Sequence, residues 1–129
     1  MKLQLMNAVI MAEDYGKLRD WYIDALDLTL DGEWTAKYHY AELKRDGKCV
    51  VGIADAKEMG VTPGDRKNAS VVAQFNVDDV RAFLARVKEK GGDVPLGPSF
   101  EEDEKFWFGG FADPEGNVCW VVELPGELS

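Results

Sequence analysis

The stretch AQFNVDD at residues 73–79 repeats, 65 positions on, the pattern of AVIMAED at residues 8–14. Ile10 falls on Phe75, Ala12 on Val77, Glu13-Asp14 on Asp78-Asp79 and Leu18 on Phe83. In each copy an apolar run of strand character ends in two acidic residues, and a helical pattern follows. After the first copy Leu18, Trp21, Tyr22, Ala25 and Leu26 recur at spacings of three and four, one face of a helix, with Asp14 as its N-cap. After the second, Val80, Phe83, Leu84 and Val87 do the same, and Gly91-Gly92 closes the helix.

Working outward, the first strand is expected over Leu3 to Ala12. Three extended stretches follow its helix: Leu28 to Trp34, Lys37 to Lys44 and Lys48 to Ala54. Arg45-Asp46-Gly47-Lys48 joins the last two, and Asp-Gly is a strong hairpin signal. In the second half Ser70 to Val77 precedes the helix, and Asp93 to Leu96, Lys105 to Ala112 and Val118 to Leu124 follow it. The turn Asp113-Pro114-Glu115-Gly116-Asn117 lies between the last two. Each half therefore reads β-α-β-β-β. The expected fold class is α+β, with a first module over residues 1–56, a linker over 57–69 and a second module over 70–129. Two copies of about 60 residues are each too small to bury a sheet alone, so they should pack on each other or on a partner chain.

Composition narrows the partners. Of 129 residues, 46% are hydrophobic and 30% charged, ordinary values for a folded domain. Fifteen Lys and Arg against 24 Asp and Glu leave a net charge of −9, which would repel a nucleic-acid backbone or an anionic membrane surface. No apolar run reaches the roughly 18 residues of a membrane span. Gln4 and Asn7 interrupt the N-terminal apolar stretch, and Glu13 and Asp14 stand where a cleavage site would need small residues, so no signal peptide is read. A cytoplasmic protein is expected, with no nucleic-acid and no membrane partner. Cys49 and Cys119 each sit in an apolar run and read as reduced, buried thiols. The one histidine, His39, excludes any single-chain site with two His ligands.

Three stretches carry a family resemblance: AVIMAED followed by WYIDALDLTL, QFNVDDVRAFLARVKEKGGDV, and GGFADPEGNVCWVVEL. They resemble the glyoxalase / bleomycin-resistance / extradiol-dioxygenase family, the vicinal oxygen chelate superfamily, in its strand-Asp-helix passage and its DP(D/E)GN hairpin. The resemblance implies two tandem βαβββ modules forming curled mixed sheets, helices on the outside, and small molecules bound inside the cup. It also implies a divalent metal held by two side chains per module. Counted from the matching motifs, those positions are Asn7, Gly52, Val72 and Trp120. Val and Gly offer no lone pair, Trp only donates, and an Asn carbonyl is a weak ligand. A catalytic divalent site takes roughly three protein ligands. The expectation is a cup with no metal, no other cofactor and no catalytic residue.

Alternation along the strands then selects the lining. Asn7, Trp34, Tyr38 and Tyr40 from the first module, with Gln74, Asn76, Trp107 and Trp120 from the second, are expected to bind the ligand, as aromatic walls with a few polar groups do. Plainer roles stand beside these. Trp120 would equally fill core volume, Trp21 and Tyr22 would pack the helix on its sheet, and one of Phe106, Trp107 and Phe108 must be core. His39 reads as a rim residue, Asp113 as a turn former, and Asn68-Ala69-Ser70 as a chance glycosylation match. The acidic run Glu101 to Glu104, amid aromatics, reads as a solvated loop, or as an attraction for organic cations.

These observations lead to a homodimer that binds a small organic molecule without turnover, a cationic antibiotic being the most concrete form. The competing reading is a metal-dependent lyase, isomerase or dioxygenase with ligands from His39, Glu42 and Glu123. A third is an interaction module whose cup is filled by its own aromatics.

Overall fold

A computed structural model describes residues 1–125 of the chain. It forms two compact units, one over Met1–Gly64 and one from Asp65 onward. In the first unit β1 (Ala8–Ala12), α1 (Tyr15–Ala25), β2 (Thr29–Trp34), β3 (Tyr40–Arg45) and β4 (Lys48–Asp55) build a four-stranded sheet in the order β1-β4-β3-β2. β1 runs parallel to β4, from Ala8 opposite Val51 to Ala12 opposite Asp55, and the other neighbours are antiparallel. The second unit opens with a 3₁₀ turn at Arg66–Asn68. β5 (Gln74–Asn76), α2 (Val80–Glu89), β6 (Asp93–Glu101), β7 (Phe106–Ala112) and β8 (Val118–Glu123) follow, in the sheet order β5-β8-β7-β6. β5 is parallel to β8. The fold is α+β, and the βαβββ module is duplicated.

Both helices start on the aspartates singled out by the repeat. The Asp14 carboxylate accepts from Lys17 N at 3.1 Å, and Asp79 accepts from Ala82 N at 3.0 Å. Both stop in the same way. Leu28 N donates to Ile23 O and Gly92 N to Val87 O, each at 3.0 Å, closing the last turn through a left-handed residue. That residue is Gly91 at φ 92° in α2, but Asp27 at φ 55° in α1.

Each helix covers one face of its own sheet. Leu18, Tyr22 and Ala25 of α1 are buried together with Ala41, Leu43, Val51 and Ile53. Val80, Leu84 and Val87 of α2 are buried with Phe111, Cys119 and Val121. Full burial of each large side chain contributes about 1.5–3 kcal/mol. These two apolar layers hold the strands, and they leave the opposite face of each sheet to other uses.

Two expectations shift. The first strand begins at Ala8 and not Leu3, since pairing with β4 starts at Ala8 and Leu3 and Leu5 stand 93% and 89% exposed. The strand expected to end at Leu96 continues as β6 to Glu101, past Gly97 and Pro98, by slipping register between Leu96 and Ser99. Gly97 is needed there, because its φ is +72° and a Cβ would stand 2.8 Å from Phe108 O. The stretch between modules divides at Gly64/Asp65. Val61 N bonds to Ala56 O in the first unit, and Arg66 pairs with Glu115 in the second.

Candidate ligand-binding faces of the two sheets

Strand alternation sends Ala41 and Leu43 of β3 toward α1, and Tyr40 and Glu42 to the other, open face. Glu42 lies opposite Gly52, and Val9 lies opposite Gly52 on its other side. Gly52 has no side chain because its place is taken. A Cβ there would meet Tyr40 Oη at 2.8 Å and Asn7 Nδ2 at 2.9 Å. Asn7 Nδ2 in turn donates to Tyr40 Oη at 3.1 Å and to Cys49 Sγ at 3.2 Å. The Trp34 ring stands 5.6 Å from the Tyr40 ring, tilted by 36°, and Trp34 is 49% exposed. Asn7, Trp34 and Tyr40 thus form one cluster over Gly52. Tyr38 lies outside both neighbouring strands, exposed. Cys49 is half-buried rather than core, and a cleft of about 570 Å³ lined by Gln4, Leu5, Met6, Lys48 and Cys49 opens beside it.

Farther along the same face Gly32, at φ +119°, leaves a second gap. A Cβ on it would lie 3.2 Å from Glu42 Oε1 and 3.5 Å from two ring carbons of Trp34. The carboxylate and the indole therefore meet over this glycine. Glu42 is 8% exposed.

Next to this face, Tyr15 Oη donates to Glu33 Oε2 at 2.6 Å, and Arg19 donates to the same oxygen at 2.7 Å. Burial and the Glu33 carboxylate push the Tyr15 phenol up to about 12. The hydrogen bonds from Tyr15 and Arg19 hold Glu33 below its usual range. His39, 5.2 Å from the Tyr15 ring, contacts Glu58 through Nδ1 at 3.0 Å.

In the second unit the open face carries Trp120, 49% exposed, with Gln74 beside it and Asn76 opposite Val122. Gly110 pairs with Trp120, and its Cβ would lie 3.5 Å from Trp120 Cδ1. Phe108 pairs with Val122 and so shares this face, with Phe106 at 6.1 Å from it. Asn76 Oδ1 accepts from Leu124 N at 3.2 Å.

Trp107 has the opposite parity. Its ring lies under the Arg81 guanidinium of α2, 4.3 Å from centroid to carbon, and edge-on to Phe100. It pairs with Glu123, whose Oε1 accepts from Val80 N at 2.8 Å at the start of α2. Trp107 therefore stands on the helix face, and the aromatics beside Trp120 are Phe106 and Phe108. The signal was present in the hairpin itself. Counting back from Trp120 through DPEGN to its partner Gly110 puts even-numbered β7 residues on the open face.

The family model for the glyoxalase/bleomycin resistance protein/dioxygenase superfamily matches residues 4–121. Among solved structures, a hypothetical protein from S. aureus superposes with a TM-score of 0.76 at 18% identity, covering 96% of each chain. A superfamily member from Sphaerobacter thermophilus gives 0.74 at 20% identity, over 95% of this chain and 98% of that one. TnmS3, an antibiotic binding protein from Streptomyces, gives 0.72 at 22% identity, over 95% and 96%. No curated protein gives a significant match. The chain belongs to the glyoxalase/bleomycin resistance protein/dioxygenase superfamily.

The divalent metal that the resemblance implies does not fit the residues present. In the first unit Asn7 offers only a neutral amide oxygen, and the Tyr40 phenol occupies the side-chain position of Gly52. In the second, Val72 and Trp120 offer no lone pair. Of the other proposed donors, His39 is engaged with Glu58 and Glu123 with the α2 N-terminus, which leaves Glu42 as a single carboxylate where about three ligands are needed. Among the described residues no three His, Cys, Asp or Glu side chains gather into a metal-holding group.

Proposed function

We propose that the protein binds a small organic molecule against the open faces of its sheets, without metal and without turnover. The observation that carries this reading is the pair of half-exposed indoles, Trp34 and Trp120, each on a sheet face beside polar groups: Asn7 with the first, Gln74 and Asn76 with the second. A half-exposed indole beside polar groups offers a ligand broad apolar contact with polar handles at its edge. The structural likeness to an antibiotic binding protein agrees with this reading. A cationic glycopeptide antibiotic of the bleomycin type is the ligand proposed, and a second copy of the chain the partner.

Calorimetric titration tests the reading, with that antibiotic and a panel of neutral planar aromatics. The expected result is heat with at least one ligand, and roughly tenfold weaker binding, ~1.4 kcal/mol, in Trp34→Ala or Trp120→Ala. Silence from every ligand, or binding that ignores both substitutions, would reject it. Light scattering of the same samples decides between monomer and dimer.

A further inference from the structure

We infer that Glu42 is the anionic end of a site for an organic cation, a protonated amine, amidine or guanidine carried on a planar ring. The inference rests on the proposed use of the first sheet's open face and adds the residue that holds the ligand's positive charge and the planar cationic group it would hold.

Glu42 is a carboxylate 92% removed from solvent, yet among the described residues it has no hydrogen bond and no ion pair. Lys44 of the same strand and Arg19 of α1 are engaged with other carboxylates. Lys44 Nζ pairs with Asp31 at 3.5 Å, and Arg19 pairs with Glu33 at 2.7 Å and Asp20 at 2.9 Å. Neither carboxylate oxygen is wholly sealed from solvent, so the charge sits at the edge of the open face, within reach of a ligand.

The surroundings say what would compensate it. Glu42 Oε1 and the Trp34 indole converge over Gly32, and Tyr40 adds a second ring 5.6 Å from the first. A carboxylate beside two aromatic faces attracts a diffuse cation through both charge and quadrupole. One carboxylate among rings is a poor donor set for a hard metal ion, which takes six or more oxygens. A neutral ligand could offer the carboxylate a hydrogen bond but no opposite charge, and charge-assisted hydrogen bonds are about twice as strong as neutral ones. Trp34 is half-exposed, so a route from solvent exists.

The test is a titration of the full chain with benzamidinium and with its neutral isostere benzamide, followed by amide and indole NMR shifts. Benzamidinium is expected to move the Gly32 amide and the Trp34 indole and to bind at least about tenfold tighter than benzamide. Glu42→Gln should erase that preference and should melt no lower than the parent, since the carboxylate has no hydrogen-bond or ion-pair partner to lose. Equal binding of both probes by the parent overturns the inference while leaving the proposed function standing. So does a preference that survives Glu42→Gln, or a substitution that lowers the melting temperature, which would mark a structural role. No shift with either probe, where the glycopeptide antibiotic still gives heat, also overturns the inference alone. Silence from the antibiotic and the aromatic panel as well removes the reading beneath it.

Discussion

Tyr15 ties α1 to β2 through a single oxygen. Its phenol and the Arg19 guanidinium both donate to Glu33 Oε2, so the helix is fastened to the strand that ends in Trp34. The pH dependence follows from the two shifts. Glu33 lies below its ordinary 4.5, chiefly because Tyr15 bonds its ionised form. Its contribution is therefore complete above pH 4.5 and disappears as pH falls through the lowered value. Tyr15 is raised from 10.0 to about 12, burial being the main cause. Its contribution is complete below pH 10.0 and is lost as pH climbs toward about 12. Tyr15→Phe should cost about 1–2 kcal/mol at neutral pH. It should also make the acid-side loss smaller, because Glu33 loses the bond that most depresses it and its folded-state value moves back toward 4.5. Urea midpoints across the acid limb check both expectations; an acid limb unchanged by the substitution contradicts them.

At the scale of elements the β7–β8 hairpin is held by one buried side chain. Asp113, 3% exposed, accepts from Glu115 N at 2.9 Å, Asn117 N at 3.0 Å and Asn117 Nδ2 at 2.9 Å. Asp113→Ala would leave those donors without their carboxylate and should cost about 2–4 kcal/mol, seen as a lower denaturant midpoint at unchanged slope. Asp113→Asn should recover part of it. This hairpin and both helix starts were legible from sequence, because Asp, Gly and Asn at fixed offsets impose their geometry locally. The limits of β1 and β6 were not. Leu3 and Leu5 alternate as strand residues do, but only a partner makes a strand, and β4 offers none before Val51. Gly97-Pro98 looks like a break, yet a slip in register carries the strand through it. The site divides in the same way. Parity along one strand brought out Tyr40, Asn7 and Trp120, whereas Trp107 needed the pairing of β7 with β8 to reveal that it faces Arg81. Glu42 was visible as a donor, but its isolation depends on how Lys44 and Arg19 spend their charges in the folded chain.

At the scale of the molecule, each unit is a helix on one small sheet whose other face is open. A domain near 60 residues buries only about 60% of its unfolded surface, and the first unit also leaves Val9, Leu30 and Trp34 in water. Residues 1–64 expressed alone should therefore melt gradually, while the full chain melts cooperatively. Calorimetry on both decides this, and a sharp transition in the fragment would show that the unit is self-sufficient. The crowding at Gly52 has its own consequence for redesign. Any ligating side chain installed there would collide with the phenol already lying across the backbone and would dislodge the amide hydrogen-bonded to it. Turning this chain into a metalloprotein would thus take paired changes, Gly52→Glu together with Tyr40→Ala at the least, so no single substitution at that position opens the way to Lewis-acid chemistry.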